Sequence, residues 1–507
     1  MVSPTSGVAD HAADLLTRVG AARAHDLDHP ALIDDHGALT YGALIDRVEA
    51  VAAVLADLGV ARGERVASLG TTRGDVFVTL LACARLGALL VPLNLRLATA
   101  ELDWMLDDCA VTAIVGDDEL LDRLAHRGEP RLGFAALTDR ANAALCDGRR
   151  IVADPSRGRG ADELMVVYTS GTTGRPKGAV LTQSAIVAHA ENAIDAFGIT
   201  ADDRTLVALP LFHVGGLNVT ATPTLLCGGT VCCHGRFDPQ RWLIDVEQLR
   251  PATSVLVPAM LDAVIRHPAF AATDLSSLRY LVSGSSIIPD QLMEAFLDRG
   301  VPTGQVYGLT ETGPIATAQP VDEVFDRVGS SGFASPNSEI RISGTGGLPA
   351  GVGEPGEVLV RGGNVFSRYW NRPEDTAAAF VGGWFRTGDI GSLDAEGRLT
   401  IHSRMKELII SGGENVYPAE LEAVLADDPR IAESAVVGRP DERWGEVPVA
   451  VVVSAPGASL TADDVLALFT DRLARYKHPK AVQFVDALPR NAMGKVRKSA
   501  VVALVTR

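Results

Sequence analysis

This 507-residue sequence lacks the marks of three protein classes. Its six cysteines form no CxxC pair and are not interleaved with histidine, so we expect buried thiols in a reducing compartment rather than a zinc or disulfide framework. No apolar run is long enough to span a bilayer, and the N-terminus has no basic cluster followed by an apolar core. The net charge of −17 argues against nucleic acid as the general partner. We therefore expect a cytoplasmic protein with no nucleic-acid partner and no integral membrane association.

Lysine is scarce as well. Only six of the 46 basic residues are Lys, and the rest are Arg. Where Arg has become the default cation, a Lys that persists is a candidate for a role that needs a compact ammonium group. Lys177 directly precedes a glycine and Lys495 directly follows one, and each lies in one of the motifs described below.

What the sequence does contain is a regular alternation of helical and strand-like segments. Residues 44–59 (LIDRVEAVAAVLADLG) and 75–88 (DVFVTLLACARLGA) have helical patterns and precede apolar runs at 65–70 and 89–94. This alternation predicts an α/β fold with a mainly parallel sheet. Glycine-rich turns at 343–357 lead into VLVRGG, which predicts a β-rich subdomain.

The chain is too long for one hydrophobic core, so two or more domains are expected. After Gly397 the pattern changes to short strands, a glycine loop and a helix that begins near Pro418. We place the boundary in the charged junction at 403–406. We predict a large N-terminal domain, residues 1–403, of parallel and mixed sheets with helices and the β-rich subdomain. A small, mobile α+β C-terminal domain, residues 404–507, follows it.

The segment YTSGTTGRPKGA, residues 168–179, predicts a phosphate-binding loop. Its glycines let backbone N–H groups approach an anion, and an apolar strand, residues 164–168, leads into it. It is not a Walker A loop, because Arg175 and Pro176 intervene before the lysine and no Ser or Thr follows it. A flexible Gly/Ser/Thr loop is the competing interpretation. The candidate phosphate ligands are Thr169, Ser170, Gly171, Thr172, Thr173, Gly174 and Lys177.

Six further blocks follow in order: LPLFHVGGL (209–217), SGSSIIP (283–289), YGLTET (307–312), WFRTGDI (384–390), SRMKELIISGGENVYPAE (403–420) and PRNAMGKVRK (489–498). In this order and spacing they resemble the adenylate-forming superfamily of acyl-CoA synthetases, nonribosomal adenylation domains and luciferases. The resemblance covers nearly the whole chain. It implies a two-step reaction in which a carboxylate attacks ATP to give acyl-AMP and pyrophosphate, and a thiolate then displaces AMP. ATP, Mg²⁺ and coenzyme A are the implied cofactor and co-substrates.

The resemblance also implies roles around the nucleotide. Lys495, Glu311 and Thr310 are the predicted catalytic residues, with Lys495 stabilising charge in the first step. Glu311, with Thr169, is predicted to hold Mg²⁺, which prefers oxygen ligands. Asp389 and Arg404 are predicted to bind ribose. The remaining predicted nucleotide contacts are Tyr307, as an aromatic face for adenine, with Gly308, Gly284, Ser285 and Ser286.

The second step implies a rotation of the small domain. Lys406 is the predicted hinge, and Ser411, Gly412 and Gly413 would line the tunnel for the pantetheine arm. The sequence departs from many relatives at Ser403, where they have Gly or Asp, and we expect little consequence. His213 matches a gate between acyl pocket and tunnel. The other predicted pocket residues are Val214, Gly215, Gln305, Leu309 and Pro314.

Each role has a plainer alternative. Taken alone, Asp389 after Thr-Gly would be a turn residue, Lys495 a solvated lysine and His213 a satisfied core histidine. Their places in the ordered blocks favour the functional interpretations.

The pocket residues are mostly small or apolar, which favours a medium or long-chain fatty acid or an aromatic acid. A dicarboxylate such as succinylbenzoate would need a fixed cation; Arg236 and Arg279 are interpreted as surface pairs instead. Three functions stay open: a free-standing acyl-CoA synthetase, an enzyme that loads a carrier protein in trans, and a non-catalytic nucleotide-binding relative. Retention of Lys177, Glu311, Asp389 and Lys495 argues against the last. A homodimer is compatible with the sequence.

Overall fold

The structure is a computed structural model, and it describes residues 13–124, 128–152, 160–169, 176–284, 288–327, 329–411, 414–441, 444–470, 472–473, 475, 477–491 and 495–506. Its first large sheet has nine strands. Six inner strands pair in parallel, and the two strands at one edge and the single strand at the other are antiparallel. In spatial order the strands are Phe333–Ala334, Thr317–Ala318, Thr303–Tyr307, Tyr280–Ser283, Thr253–Val255, Arg204–Val207, Thr230–Cys233, Pro30–Asp34 and Gly37–Thr40.

The second sheet has seven strands and carries the predicted phosphate loop. Its parallel part runs from Glu163–Thr169 to the far edge, whereas Lys177–Thr182 and Arg368–Tyr369 are antiparallel additions. In spatial order the strands are Arg368–Tyr369, Lys177–Thr182, Glu163–Thr169, Leu89–Pro92, Arg65–Leu69, Ala113–Gly116 and Arg131–Gly133.

The main core contains buried side chains of both sheets and of the helices Tyr41–Asp57, Gly74–Leu86 and Gln183–Phe197. The last of these begins where the Thr182 side chain accepts a hydrogen bond from the Ala185 amide, and it ends at Gly198 in the left-handed conformation. The predicted helices at 44–59 and 75–88 and the strands that follow them are thereby confirmed, as is the α/β class. The other helices of this part are Leu15–Ala22, Thr99–Cys109, Asp118–Leu121, Phe134–Cys146, Val214–Leu217, Ala221–Cys227, Pro239–Leu249, Pro258–Ile265 and Asp290–Leu297.

A five-stranded sheet forms the predicted β-rich subdomain. Its strands are Ser338–Ser343, Gly356–Gly362, Trp384–Leu393 and Phe380–Val381, with Leu399–Arg404 paired to Trp384–Leu393. The helix Pro373–Ala379 precedes Phe380–Val381, and the 3-10 turn Thr345–Gly347 lies between the first two strands. Two further 3-10 turns, Thr310–Thr312 and Val321–Glu323, belong to the preceding part of the chain. The long strand Trp384–Leu393 brings Asp389 opposite Arg404.

A second five-stranded sheet forms the small C-terminal domain. It contains Glu414–Val416, Ile409–Ser411, Gly445–Ser454, Ile431–Asp441 and Ala481–Phe484, and its helices are Pro418–Ala426, Ala462–Ala467 and Lys498–Val505. Two clusters of buried side chains belong to this part of the chain alone. The 3-10 turn Met405–Glu407 joins it to the β-rich subdomain, and a boundary between 403 and 404 with a hinge there stays a prediction.

The cysteines correct one expectation. Cys83, Cys109, Cys232 and Cys233 are buried, but Cys146 is exposed and Cys227 is partly exposed, so the prediction of uniformly buried thiols is wrong. Cys146 is the last residue of the helix Phe134–Cys146 and lies on its exposed side, whereas Ala144 in the same turn is buried. Among the described residues no helix has the length and hydropathy needed to cross a bilayer.

Candidate active site

The predicted phosphate loop connects two antiparallel strands. Thr169 ends the first strand and faces Lys177, the first residue of the second. A Walker A loop leads instead into a helix, so the topology separates the two kinds of loop. Gly178 packs tightly, since a Cβ there would lie 2.6 Å from Val166 Cγ1. Residues 170–174, which include the predicted ligands Ser170, Gly171, Thr172, Thr173 and Gly174, lie outside the described part.

Glu311 lies buried beside this hairpin. The 3-10 turn Thr310–Thr312 follows the strand Thr303–Tyr307 and presents the carboxylate to the strand end at Thr169. Glu311 Oε1 accepts a hydrogen bond from the Tyr369 hydroxyl at 2.9 Å and a longer one from Thr169 Oγ1 at 3.4 Å. Burial raises the pKa of Glu311, and these two hydroxyls act in the opposite direction. Two predicted residues, Thr169 and Glu311, are therefore in contact.

Gly308 makes that turn sterically feasible. A Cβ on Gly308 would lie 1.8 Å from the Pro314 carbonyl oxygen and 2.8 Å from Thr312 Oγ1. Any side chain would push the 310–314 segment away. Thr310 lies in the same turn, next to Glu311.

Tyr369 was not predicted from the sequence. It lies on the two-residue strand Arg368–Tyr369, which pairs with the strand that follows the loop. Its hydroxyl contacts Glu311, and the Lys177 ammonium lies 5.3 Å from its ring centroid. Lys177 Nζ also donates a hydrogen bond to Asp375 Oδ1 at 2.5 Å. Two strand residues are too few to produce a readable pattern, and so the sequence gives no signal for this contact.

Asp389 is the centre of a second cluster. It is 3% exposed, accepts a hydrogen bond from the Tyr307 hydroxyl at 2.8 Å and forms an ion pair with Arg404, whose Nε lies 2.8 Å from Asp389 Oδ1. Burial raises the pKa of Asp389, while Arg404, Tyr307 and Lys495 act to lower it. These four predicted residues converge, although Tyr307 was predicted only as an aromatic face and not as a hydrogen-bond donor.

Lys495 approaches this cluster from the small domain. Its backbone is held by Asn491, whose side-chain oxygen accepts the Lys495 amide at 3.0 Å. The Lys495 side chain keeps solvent-exposed surface, yet the protein around it desolvates the ammonium and, with Arg404, lowers its pKa. Asp389 and Glu407 are the nearby acids that oppose this shift. Lys495, 106 positions after Asp389 in sequence, therefore shares its electrostatic environment.

His213 lies at the start of the short helix Val214–Leu217. Burial lowers the pKa of His213 to about 4, and Arg96 contributes in the same direction, so the ring is neutral at pH 7. Its Nε2 is buried and has no hydrogen-bond partner within the described residues. Val214 is buried beside it and Gly215 is partly exposed. An unpaired polar atom of this kind calls for a partner that the described residues do not supply.

The other predicted pocket residues have mixed surroundings. Gln305 donates its side-chain amide to Ser331 Oγ at 2.9 Å and is thus tied to the protein. Leu309 and Pro314 are partly exposed, and Leu309 packs against the main core.

His189 supports the pocket segment and was missed by the sequence. It is fully buried on the helix Gln183–Phe197, where burial lowers its pKa to about 4. Its Nε2 donates to the Asn218 carbonyl at 2.7 Å, and its Nδ1 accepts the Ile315 amide at 3.3 Å. Both nitrogens are satisfied, so this histidine fixes the backbone beside the pocket. One histidine in an Ala-rich helix gives no warning of such a role.

The remaining predicted residues are only partly described. Lys406 is exposed in the turn Met405–Glu407, and Ser411 is buried where its strand meets Gly445. Gly412 and Gly413 lie outside the described residues, as do Ser285 and Ser286. Gly284 packs closely, with a Cβ position 3.1 Å from Val306 Cγ2. Ser403 is buried with no hydrogen-bond partner for its hydroxyl among the described residues.

The two clusters together suit a ligand with both anionic and hydroxyl groups. One cluster contains Thr169, Lys177 and Glu311, and the other contains Tyr307, Asp389, Arg404 and Lys495. A buried carboxylate fixed by Arg404 and Tyr307 accepts hydroxyl donors, whereas the lysines attract anions. Glu311 and Thr169 offer the oxygen atoms that a hard divalent cation prefers.

Comparisons with known proteins identify a family and relatives over nearly the whole chain. The model of the family described as AMP-binding enzyme matches residues 20–370, and that of the AMP-binding enzyme C-terminal domain matches residues 420–495. The indoleacetate–CoA ligase of Aromatoleum aromaticum is 46% identical over 484 residues, covering 92% of this chain and 94% of the relative. A feruloyl-CoA synthase of Amycolatopsis is 41% identical over 472 residues, with coverage of 92% and 94%. The ATP-bound crystal structure of MatB from Rhodopseudomonas palustris superposes with a TM-score of 0.88 at 33% identity, covering 97% of this chain and 98% of that one.

Proposed function

The chain belongs to the AMP-binding enzyme family, and we propose that it is an acid–thiol ligase that activates an aromatic carboxylic acid with ATP and transfers the acyl group to coenzyme A. The resemblance inferred from the ordered sequence blocks is confirmed by the family match. The one observation that carries the proposal is the convergence of Asp389, Arg404 and Lys495, because it joins a hydroxyl-accepting carboxylate to a cation from the other domain.

Nucleotide binding follows from the two clusters. Asp389 accepts both ribose hydroxyls, and Arg404 and Tyr307 hold its carboxylate in place from the protein side. Lys177 and the loop before it take the β- and γ-phosphates, and Thr310 contacts the α-phosphate. The α-phosphate is thereby directed toward Lys495.

The residues present fit a magnesium ion. Glu311 is buried with its Oε1 shared by two hydroxyls, and no group of three or more metal-ligating side chains occurs among the described residues. Mg²⁺ commonly takes one or two carboxylates and completes its shell with phosphates and water. Glu311 would hold it, with Thr169 as a further oxygen ligand, and the ion would neutralise charge on the phosphates.

In the first step, an oxygen of the substrate carboxylate attacks the α-phosphorus of ATP and the bond to the β-phosphate oxygen breaks. The products are acyl-AMP and pyrophosphate. Negative charge is concentrated on the α-phosphate oxygens in the transition state, and the protonated Lys495 stabilises it there. The lowered pKa of Lys495 means that this charge is lost at a lower pH than for an ordinary lysine.

In the second step, the CoA thiolate attacks the acyl carbon and AMP leaves. This step needs different groups around the same adenylate, and Lys495 has no part in it. The small domain therefore rotates about Lys406 and brings the segment 411–413 to the acyl carbon. Glycine at 412 leaves room for the pantetheine arm.

The choice of an aromatic acid rests on the pocket and on the two relatives, which are named for indoleacetate and ferulate. The His213 ring is neutral at pH 7 and its Nε2 is buried, so it offers an uncharged nitrogen rather than a fixed cation. Arg279, one of the two cations considered for a second substrate carboxylate, is paired with Asp203 at 2.6 Å. An acid with one carboxylate and an aromatic body meets these conditions.

The test is a panel of acids incubated with ATP, Mg²⁺ and the purified protein, with and without CoA. Indole-3-acetate, ferulate, benzoate, fatty acids of increasing length and 2-succinylbenzoate are compared by AMP release and by mass spectrometry of the thioester. We expect CoA-dependent AMP release matched by thioester, with an aryl acid giving the highest kcat/KM. AMP release without any thioester would favour transfer to a carrier protein. Highest kcat/KM with a fatty acid would contradict the aromatic assignment.

A further inference from the structure

The Lys177 ammonium is already paired with a carboxylate in this structure. Its ammonium donates to Asp375 Oδ1 at 2.5 Å, and the two side chains are 19% and 37% exposed. The pair is electrically neutral. Lys177 is a predicted ligand of the β- and γ-phosphates, and so the group expected to attract polyphosphate is already neutralised by the protein.

The position of the pair connects it to the metal-binding side of the site. The ring of Tyr369 lies against the Lys177 ammonium, and the hydroxyl of the same residue contacts Glu311. One tyrosine therefore separates the Lys177–Asp375 pair from Glu311. A phosphate chain that contacts both Lys177 and a cation on Glu311 has to pass close to the Asp375 carboxylate.

The local fold does not depend on this ion pair. Asp375 lies in the helix Pro373–Ala379, which begins with proline at its first position. Thr376 anchors the helix, since its hydroxyl accepts the Tyr369 amide at 2.9 Å and donates to the Arg372 carbonyl at 2.8 Å. Apart from Lys177, no hydrogen-bond partner of the Asp375 side chain occurs among the described residues. Asp375 shares the first turn of this helix with Glu374, so the two acids have the same favourable position at the helix N-terminus, and only Asp375 also pairs with Lys177.

We propose that Asp375 is an internal counter-ion of Lys177 that the β- and γ-phosphates of ATP must displace, so that it weakens the binding of ATP and pyrophosphate but not of AMP. This inference rests on the proposed function, because it takes Lys177 as a phosphate ligand. AMP lacks the two outer phosphates, and its single phosphate is assigned to Thr310. The same ion pair favours the release of pyrophosphate, because Asp375 pairs with the Lys177 ammonium again when the product leaves.

The expected size follows from the charges. A partly exposed ion pair and the repulsion between one carboxylate and one phosphate charge about 4 Å away each change a binding constant by up to about fivefold. Removal of Asp375 should tighten binding of ATP and of pyrophosphate by about fivefold, and binding of AMP should stay within about twofold of the wild-type value.

The experiment measures dissociation constants by calorimetry for Mg-ATP, Mg-pyrophosphate and AMP, with Asp375→Ala, Asp375→Asn and the wild-type protein. Glu374→Ala is the matched control, because it removes one acid from the same helix at an exposed position. Thermal unfolding verifies that all variants are folded. Tighter ATP and pyrophosphate binding in both Asp375 variants, with AMP and Glu374→Ala unchanged, supports the proposal. Unchanged or weaker ATP binding, or an equal gain for AMP, overturns it.

A double-mutant cycle tests whether the effect acts through the lysine. In a Lys177→Ala background, Asp375→Ala should lose at least half of its effect on ATP affinity. An undiminished effect would overturn the assigned partnership. If the wild-type protein binds neither ATP nor AMP, the proposed function fails and the inference fails with it, whereas normal wild-type binding with no change in the Asp375 variants overturns the inference alone.

Discussion

Replacing Tyr369 by Phe should change the pH dependence of the enzyme. The substitution keeps the ring beside Lys177 and removes only the hydroxyl that donates to Glu311 Oε1 at 2.9 Å. Burial raises the pKa of Glu311, and this hydroxyl opposes the rise. Without it the pKa of Glu311 rises further. Since a carboxylate is needed to hold Mg²⁺ and protonation increases as the pH falls, the acid limb of the activity profile should move to higher pH.

The magnitude follows from the strength of the lost contact. A hydrogen bond to a charged acceptor contributes about 1.5–3 kcal/mol, and 1.36 kcal/mol corresponds to a factor of ten in a protonation equilibrium. The Tyr369→Phe variant should therefore lose at least about tenfold in kcat/KM for ATP on the acid side of the profile and recover most of it at alkaline pH.

The assay is pyrophosphate release as a function of pH at subsaturating ATP, with Mg²⁺ affinity measured in parallel. Tyr41→Phe is the control, because the buried Tyr41 hydroxyl donates to the Leu225 and Gly229 carbonyls far from the carboxylate in sequence. That control should lower stability and leave the profile in place. An acid limb that coincides in Tyr369→Phe and wild-type protein would refute the link between Tyr369 and Glu311.

Two further predictions concern the catalytic lysine and the turn that carries Glu311. Lys495→Ala should slow acyl-adenylate formation by about 100- to 1000-fold and leave CoA attack on supplied acyl-AMP within about tenfold of wild type. The wild-type adenylation rate should fall as rising pH deprotonates Lys495, a limb absent from the variant; equal loss of both half-reactions would contradict its role. Gly308→Ala should lower the free energy of unfolding by about 1–3 kcal/mol and abolish ATP binding, because the new Cβ would lie 1.8 Å from the Pro314 carbonyl oxygen. Gly215→Ala, whose nearest neighbour would be Leu209 Cδ1 at 3.5 Å, should unfold near the wild-type temperature.

The sequence predicted the features that repeat or that lie within one segment. The alternation of long Ala/Leu-rich segments with short apolar runs identified the helices Tyr41–Asp57 and Gly74–Leu86 of the main core, although the second is buried on nearly all sides. Ordered blocks identified Glu311, Asp389, Arg404 and Lys495, whose contacts the structure then describes. Their roles stay predictions, since contact alone does not assign chemistry.

The contacts that escaped prediction join residues far apart in sequence. Lys177 and Asp375 are 198 positions apart and meet because a two-residue strand, Arg368–Tyr369, pairs beside the loop. His189 lies on a 15-residue helix instead, and its contact with Ile315 joins residues 126 positions apart across the core. Each depends on tertiary pairing, for which neither periodicity nor composition carries a signal.

The central claim is that the substrate carboxylate attacks the α-phosphorus of ATP. The most direct test uses a substrate acid labelled with ¹⁸O in both carboxylate oxygens, followed by mass spectrometry of AMP, pyrophosphate and the acyl-CoA. Because the bridging oxygen of acyl-AMP comes from the carboxylate and remains with AMP when the thiolate attacks, AMP should gain one ¹⁸O and the thioester should retain the other. Label in pyrophosphate, or AMP without label during thioester formation, would contradict the account.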